Sequence, residues 1–357
     1  MPAETIPALL AERVAHTPDL AAIAASHCSV SYTELDRRSA ARAAGLVARG
    51  VGRTHRVGLL QQDGVDWAIS TLAVMRIGAV LVPLDSALDP KALQFRLAAA
   101  AVRHVIIASA SDGIADAGEG ATIERAGLPT LRNILAADEL DEVADNTAQA
   151  VAAALEARAA RADDMVILFG SDGAAAIHGH GAAIRAIRAA VSVYGPVPGA
   201  IHLVSEPLFK IGGFGGGLLA ALVVGATLLI DARADGDQSG GSAGASATLE
   251  SFGPYCGHPP GHALPAGKQG SAGHVLDGIK LRVRNPGSRE LVQAGETGMI
   301  EIGGHNLLRG IVGLEREQAF TADGWAGTGD MGRVDADGFV WIVAREQGTR
   351  VGRSDRG

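Results

Sequence analysis

The stretch RVGLLQQDGVDWAISTLAVMRIGAVLVPLD, residues 56–85, contains the apolar pattern from which the fold class is predicted. It begins with a short apolar run at 56–60 that is typical of a β-strand, and residues 66–75 have the apolar spacing of a helix. A second apolar run at 79–85 is interrupted by Pro83 and predicts a buried strand. A strand, a helix and a strand in this order indicate a parallel sheet covered by helices.

The same alternation continues on both sides of this stretch. Towards the N-terminus, residues 6–16 have helical spacing, and residues 30–35 end a strand and cap a helix over 34–49. Towards the C-terminus, a helical pattern at 90–101 precedes an apolar strand at 104–109. The first two-thirds of the chain therefore predict an α/β fold.

Three later regions break the alternation. Residues 110–163 are rich in acidic residues and alanine, so we expect them to lie on the surface. Residues 231–247 have no apolar side chain larger than alanine and predict a flexible linker. After residue 270, the segments IKLRVRN, GMIEIGG and GFVWIVAR alternate with period two, which predicts a small antiparallel sheet or barrel.

Composition narrows the classes of protein. The 357 residues carry a formal net charge of −8 and no basic cluster, so we expect no nucleic-acid partner. The two cysteines suit a reducing compartment, and the first residues lack the pattern of a signal peptide. The most apolar run, 217–230, is too short to span a bilayer. The sequence therefore predicts a soluble, cytoplasmic protein without a membrane partner.

The stretch LFGSDGAAAIHGHGAAI, residues 168–184, has the layout of a phosphate-binding loop. An apolar strand at 165–169 leads into glycine-rich turn residues, which we expect to be followed by an alanine-rich helix that presents its N–H groups. The stretch contains no lysine or threonine, and Ser171 is its only hydroxyl residue. The layout of a phosphate site is thus present without the side chains that usually complete it.

Five further motifs are found in a recognisable order: VSYTELDRRSAARAAGLVARGV, GLLQQDGVDWAISTLAVMRIGAVLVPLD, EPLFKIGGFGGGLLAALVVGATLLI, GETGMIEIGGHNLLRG and GWAGTGDMGRVDADGFVWIVAR. Together they resemble the adenylate-forming superfamily of AMP-dependent acyl-CoA synthetases, nonribosomal peptide adenylation domains and luciferases. The resemblance implies an α/β N-terminal domain of helix-covered sheets with a small distorted antiparallel β-barrel. Members of this superfamily activate a carboxylate with ATP and usually pass the acyl group to a thiol.

The resemblance also implies a division of the chain. Residues 1–160 and 161–230 would form two α/β subdomains, and residues 231–250 a linker that replaces a deleted segment. Residues 251–343 would hold a residual motif and the barrel, and 344–357 the remnant of a hinge. The family's C-terminal domain, with its catalytic lysine, is expected to be missing, so we interpret the chain as a degenerate and truncated member.

Two nucleotide motifs depart from the family pattern. In the phosphate loop, Ser171 aligns with the family serine, the Pro-Lys-Gly end has no match, and Asp172 places a negative charge against phosphate. In the adenine motif Phe252 and Gly253 match, whereas Tyr255 replaces the threonine and Cys256 the glutamate. Mg²⁺ thereby loses an oxygen ligand of the kind that it requires.

Other positions of the family site are retained. Thr328 and Asp330 belong to an intact TGD motif, whose aspartate binds the ribose hydroxyls in the family, and Arg345 matches the hinge arginine. The alternative is that Asp330 and Arg345 only order the turns of the barrel. We therefore expect AMP or ATP binding to be weak or lost, with Mg²⁺ binding not expected and no cofactor required.

The motif EPLFKIGGFGGG, residues 206–217, aligns with the family's acyl pocket. Its candidate pocket residues are Phe209, Lys210, Gly212, Gly213 and Gly215. Glycines let a ligand approach the backbone closely, but they also serve helix packing, and both interpretations stay open. We interpret Lys210 as a solvated or ion-paired residue in preference to a catalytic amine.

The candidates for catalysis are few. They are Lys210, Cys256 and His180, and Cys256 together with a histidine would have the chemistry of an activated thiolate. The histidines and cysteine at 178, 180, 256, 258 and 262 fit no standard zinc spacing, so we expect no metal site.

Three classes of function compete. The first is a pseudoenzyme that binds a small acyl or aryl ligand or a partner in a biosynthetic pathway. The second is an enzyme that uses the old acyl pocket for acyl transfer, cyclisation or dehydration without ATP. The third is an unusual active ligase. We favour the first, as a homodimer or in complex with another biosynthetic enzyme.

Overall fold

The computed structural model describes residues 3–25, 28–108, 123–142, 145–204, 206–230, 246–259 and 262–345. Its helices are α1 (Ile6–His16), α2 (Tyr32–Ala48), α3 (Val65–Arg76), α4 (Pro90–Ala99), α5 (Ala137–Asp141), α6 (Asn146–Glu156), α7 (His180–Tyr194), a π-helix (Gly212–Leu219), α8 (Ala220–Val224) and α9 (Arg316–Ala319). Its strands are β1 (Ala21–Ala25), β2 (Cys28–Ser31), β3 (Arg56–Leu60), β4 (Val80–Pro83), β5 (His104–Ile107), β6 (Asn133–Ala136), β7 (Asp164–Phe169), β8 (Ala175–Gly179), β9 (Ile201–Val204), β10 (Thr227–Ile230), β11 (Ser246–Thr248), β12 (Gly253–Gly257), β13 (His274–Val275), β14 (Ile279–Arg284), β15 (Gly298–Gly304), β16 (Gly310–Ile311), β17 (Ala326–Val334) and β18 (Val340–Arg345).

Capping side chains fix where several helices begin. The Thr5 hydroxyl accepts a hydrogen bond from the backbone of the first turn of α1, and the Ser31 hydroxyl does the same for α2. The Asp89 carboxylate caps α4, whose first residue is Pro90. The predicted helix over 6–16 and the predicted strand-to-helix boundary at 30–35 are confirmed.

The larger sheet has the strand order β16-β8-β7-β4-β3-β5-β6. Its strands β4, β3, β5 and β6 run parallel, β7 runs parallel to β4, and β8 and β16 continue the sheet antiparallel. A second sheet has the order β2-β1-β10-β9, in which only β2 is antiparallel to its neighbour. The predicted α/β fold with helix-covered sheets is confirmed.

Two buried arginines connect the helices that lie against these sheets. Arg42 of α2 is 1 % exposed, and its guanidinium donates to both carboxylate oxygens of Asp141 at 2.8 and 2.6 Å and to the Ser70 hydroxyl at 2.9 Å. Arg76 of α3 donates to Glu156 of α6 at 2.6 and 2.8 Å, and it also contacts the Asp36 carboxylate. These contacts cross-link α2, α3, α5 and α6 through charge-assisted hydrogen bonds.

The last third of the described chain is antiparallel. Strands β14, β15, β17 and β18 form one sheet in that order, and β11, β12 and β13 form another. The period-two strands predicted after residue 270 are therefore confirmed. In the part of the chain that the structure describes, these two sheets stay open and do not close into a barrel.

Two connecting regions, 110–163 and 231–247, are predicted from composition. The expectation that 110–163 lies on the surface is wrong for Leu135 of β6 and Leu140 of α5, which are buried. Strand β6 extends the larger sheet, and α5 packs on α2. Most of the predicted linker, 231–245, lies outside the described residues, as do 109–122. The subdomain boundaries stay a prediction. No helix of the described ranges is both long and apolar enough to cross a bilayer.

Candidate functional site

The glycine-rich stretch at 170–174 forms the turn of a β-hairpin. Strand β8 follows the turn and pairs antiparallel with β7, so the helix expected directly after the loop is wrong and α7 begins only at His180. The hairpin forms because β7 pairs with residues 175–179, which is a tertiary preference that the alanine-rich sequence does not reveal. The turn therefore does not lie at the N-terminus of a helix.

The hydrogen bonds of this turn are largely internal. The N–H of Gly170 donates to the Ala174 carbonyl at 2.8 Å, and the N–H of Gly173 donates to the Gly170 carbonyl at 3.0 Å. The Asp172 carboxylate accepts from the Ala174 N–H at 3.1 Å, and Ser171 is exposed. Three of the five backbone N–H groups of residues 170–174 are thus used within the turn and do not point outwards to a phosphate.

Asp330, the aspartate expected to bind ribose, lies buried on β17 with its carboxylate already engaged. The Tyr255 hydroxyl donates to one of its oxygens at 2.6 Å. Arg345 donates through Nε and Nη2 to the two oxygens at 2.6 and 3.0 Å. The register of β17 and β18 places Arg345 directly opposite Asp330, which explains the two-pronged contact.

The surroundings of Asp330 reinforce this arrangement. The Thr328 hydroxyl accepts from the Asp330 N–H at 3.0 Å and donates to the Ile300 carbonyl at 3.0 Å, so the TGD turn is held from within. The hydrogen bond that Arg345 donates to Asp330 raises the pKa of Arg345. The Asp330 side chain is fully buried, whereas the Arg345 side chain is 55 % exposed. A ligand that approaches the carboxylate from the Arg345 side thus meets the guanidinium first.

Phe252, the residue aligned with the family's adenine motif, is part of a buried aromatic cluster. Its ring lies edge-on to His178 at 4.9 Å and to Phe214 at 5.9 Å between centroids, and Phe214 is edge-on to Trp67 at 6.0 Å. Phe252 adopts a left-handed backbone with φ +55°, and Gly253 follows at φ +123°. This uncommon conformation for a large residue turns the ring into the core.

The glycines of the acyl motif lie in the π-helix, a rare element often found at functional sites. A Cβ at Gly212 would collide with the Glu206 side chain, and one at Gly213 would lie 2.2 Å from the Pro207 carbonyl oxygen. At Gly215 it would meet Phe252 at 3.2 Å. Protein atoms thus already occupy the space beside these three backbone positions, which favours the packing interpretation.

Lys210 precedes the π-helix and is exposed, with its ammonium 6.0 Å from the centre of the Phe209 ring. Phe209 itself is half-buried. An exposed ammonium keeps its hydration, so this environment offers no desolvation of the kind that makes a lysine nucleophilic.

The two other catalytic candidates serve different parts of the core. His180 is buried and its Nδ1 accepts from the Ile6 N–H at 3.3 Å, so it caps α1, and burial lowers its pKa to about 4. Cys256 is buried on β12 in the apolar cluster under the antiparallel sheet. Within the described residues, no group of three or more His, Cys, Asp or Glu side chains has the arrangement of a metal site.

The contact between Tyr255 and Asp330 is the feature that sequence reasoning missed, since the family alignment presents Tyr255 only as a replacement for threonine. A signal was available: a buried tyrosine needs a partner for its hydroxyl, and a retained aspartate is the natural acceptor.

Solved structures identify the class of protein to which this fold belongs. The O-succinylbenzoate coenzyme A synthetase of Bacillus subtilis, in complex with AMP, matches with a TM-score of 0.77 and 18 % identity over 96 % of this chain and 99 % of that one. The N-terminal domain of FACL13 from Mycobacterium tuberculosis matches with a TM-score of 0.72 and 20 % identity over 95 % and 100 %. The fold is that of the N-terminal domain of adenylate-forming ligases.

The family follows from the sequence comparison. The model of the family described as AMP-binding enzyme matches residues 10–239, and the chain belongs to this family. A CoA ligase of Mycobacterium tuberculosis (strain ATCC 25618 / H37Rv), named for a methyl-dioxo-octahydro-indenyl propanoyl group, is 31 % identical over 63 % of this chain and 46 % of its own length. Tyrocidine synthase 3 of Brevibacillus parabrevis is 32 % identical over 26 % of this chain and 1 % of its own length. The chain thus spans less than half the length of either relative.

Proposed function

We propose that this chain is a degenerate AMP-binding protein that has lost ATP-dependent carboxylate adenylation and acts as a pseudoenzyme in a biosynthetic pathway. It would bind a small acyl or aryl ligand or a partner enzyme. The observation that carries the proposal is the engaged carboxylate of Asp330, which accepts hydrogen bonds from Tyr255 and from both prongs of Arg345.

The energetics of this contact support the proposal. A ribose diol would have to displace hydrogen bonds to a buried carboxylate, and each bond to a charged group contributes about 1.5–3 kcal/mol. Because Tyr255 is fully buried, its displaced hydroxyl would also need a new partner, whereas the half-exposed Arg345 is accessible to water. A nucleotide therefore gains little by entering this position.

The turn at 170–174 supports the proposal independently. Phosphate binding in a glycine loop depends on N–H groups that point outwards together with a cation. Here the Gly170, Gly173 and Ala174 N–H groups bond within the turn, and Asp172 contributes a negative charge. We accordingly propose that the protein requires neither ATP nor Mg²⁺ and that it functions in the cytoplasm.

The first test is the exchange of pyrophosphate into ATP. Because three N–H groups of the loop bond within the turn and the loop has no lysine, we expect no exchange above background with any carboxylic acid in a panel of aliphatic, aryl and amino acids. An intact acyl-CoA ligase assayed with the same reagents is the positive control. Exchange that depends on Mg²⁺ and is abolished by Asp330→Ala would contradict the proposal.

The second test is calorimetry with AMP. The engaged carboxylate predicts a dissociation constant in the high-micromolar range or weaker for the wild type, which corresponds to at most about 5 kcal/mol. Tyr255→Phe removes one hydrogen bond to Asp330 and should tighten AMP binding by up to about tenfold, whereas Asp330→Asn should weaken it. Equal affinities for the three proteins would show that the aspartate makes no contact with ribose.

A further inference from the structure

The smaller sheet has an outer face whose apolar side chains are exposed on the edge strand β9. On β9, Ile201 is 71 % and Leu203 is 58 % exposed. The register places Leu203 beside Leu229 of β10, which in turn lies beside Ala24 of β1. Residues in register share a face of a sheet, so Ile201, Leu203, Leu229 and Ala24 form one surface, here called the outer face.

The opposite face of the same sheet fixes this orientation. His202 Nε2 lies 2.7 Å from the Gly216 carbonyl oxygen of the π-helix, and Leu228 of β10 is fully buried. Val204 packs so closely on Gly217 that a Cβ there would lie 2.6 Å from it. Because the side-chain period of a strand is two, Ile201 and Leu203 cannot turn inwards without moving His202 and Val204 out of these contacts.

Strand β9 is also the last strand of its sheet, and among the described residues no strand pairs with its outer edge. Residues 195–204 contain no charged side chain. Natural proteins protect an edge strand with lysine, proline, an inward-pointing charge or a bulge, or by keeping the strand short. Strand β9 is short, but its four residues contain no lysine, proline, acidic residue or bulge. A short, uncharged apolar edge of this kind favours pairing with another strand.

We propose that a second copy of this chain pairs with the β9 edge and thereby extends the outer face. A two-fold axis would align the two β9 strands antiparallel, so that Ile201 of one copy lies beside Leu203 of the other and the two sheets become continuous. Electrostatic repulsion limits where two copies can meet. Most surfaces of a chain with net charge −8 repel one another, whereas the segment 195–204 has no charged side chain and pairs with its own copy without repulsion. The proposal does not rest on the loss of adenylation.

The size of the contact sets the expected affinity. The contact consists of the four-residue strand β9 with Ile201 and Leu203, and of Val197 just before it, which is 64 % exposed. Such a contact buries less surface than the interface of a stable obligate dimer. We therefore expect a reversible dimer in the micromolar range.

The test is sedimentation velocity of the 357-residue chain between about 1 and 200 µM, a range that brackets the micromolar affinity expected from the contact size. The wild type should pass from monomer to dimer over this range, and Ile201→Lys or Leu203→Lys should remain monomeric at the highest concentration. Val343→Lys is the matched control, because Val343 is 64 % exposed on β18, another edge strand, and should leave the dimer intact. A monomeric wild type at all concentrations, or a dimer that both lysine variants leave unchanged, would overturn the proposal.

A cross-link keeps the test valid if the lysine variants fold poorly. In a Cys28→Ser background, which removes the exposed native thiol, Ile201→Cys with Leu203→Cys should yield a disulfide-linked dimer on mild oxidation. Val343→Cys in the same background is the control and should form no disulfide-linked dimer under either reducing or oxidising conditions. Equal cross-linking of the β9 and β18 variants would also contradict the proposed interface.

Discussion

Lowering the pH from 6.5 to 4 is expected to destabilise the fold steeply, because three histidines are buried as neutral rings. Burial lowers the pKa of His104 to about 4, of His178 to about 3 and of His180 to about 4. His180 Nδ1 accepts the Ile6 N–H, and Asn133 lies 3.3 Å from His104 Nδ1 in position to donate. Both contacts use a lone pair that protonation would remove.

The direction follows from proton linkage. All three folded pKa values lie below the value of about 6.5 for an unfolded histidine, so between these limits the unfolded chain binds more protons than the folded one. The stabilisation is complete above pH 6.5 and is lost as the pH falls towards 4. Three protons correspond to a slope of at most about 4 kcal/mol of unfolding free energy per pH unit.

Urea denaturation at pH 7.5, 6.5, 5.5 and 4.5 measures this slope. His104→Gln removes one of the three buried rings and should reduce the pH slope of the unfolding free energy by about 1.4 kcal/mol per pH unit, the contribution of one proton. His16→Gln, a substitution at an exposed position of α1, is the matched control and should leave the slope unchanged. An unfolding free energy that is constant from pH 6.5 to 4.5 would mean that the three rings are not held neutral.

The second large effect is expected for Asp141→Asn. The Arg42 guanidinium is 1 % exposed and makes two short hydrogen bonds to Asp141, so an amide at this position loses the charge and one acceptor while Arg42 stays buried. Removing one partner of a buried ion pair costs about 3–5 kcal/mol. Because Asp141 is itself 35 % exposed and Asp66 still lies 3.3 Å from Arg42 Nη2, we expect at most about 3 kcal/mol. Thermal and urea denaturation at pH 7.5 measure the loss.

Glu34→Gln is the matched control for this prediction. It makes the same carboxylate-to-amide change opposite Arg37, on the same helix α2, but both side chains of that pair are exposed. Exposed pairs contribute little, so we expect a change within about 0.5 kcal/mol. Similar losses for the two variants would indicate that burial of Arg42 does not set the strength of its ion pair.

The elements that depend on local signals were predictable. Helix α1 has Thr5 as its cap and apolar spacing behind it, and the strands β3 and β4 are apolar runs around a helix, so each is encoded within a dozen residues. Strand β8 was missed because AAIHG has neither the β-branched residues nor the alternation of a typical strand. It is a strand because β7 and β16 pair with it on either side.

The candidate site was less predictable, since its contacts join distant parts of the chain. The alignment with the family gave the position of Asp330 but not its partners, because the hydroxyl that reaches it comes from Tyr255, 75 residues earlier. The left-handed backbone of Phe252 is likewise set by its neighbours Phe214 and His178, and no property of phenylalanine predicts it.

The position of β1 in the smaller sheet has a consequence for synthesis of the chain. Strand β1 pairs with β10, so Ile23 lacks its parallel neighbour until Leu228 is made, and the Ile6 N–H at the start of α1 lacks its acceptor until His180, 174 residues later, is made. At translation rates of about 5–20 residues per second, the first strand leaves the ribosome on the order of 10–40 s before its parallel neighbour. During that interval the N-terminal segment presents apolar residues without their native cover, which makes it a natural client of ribosome-associated chaperones.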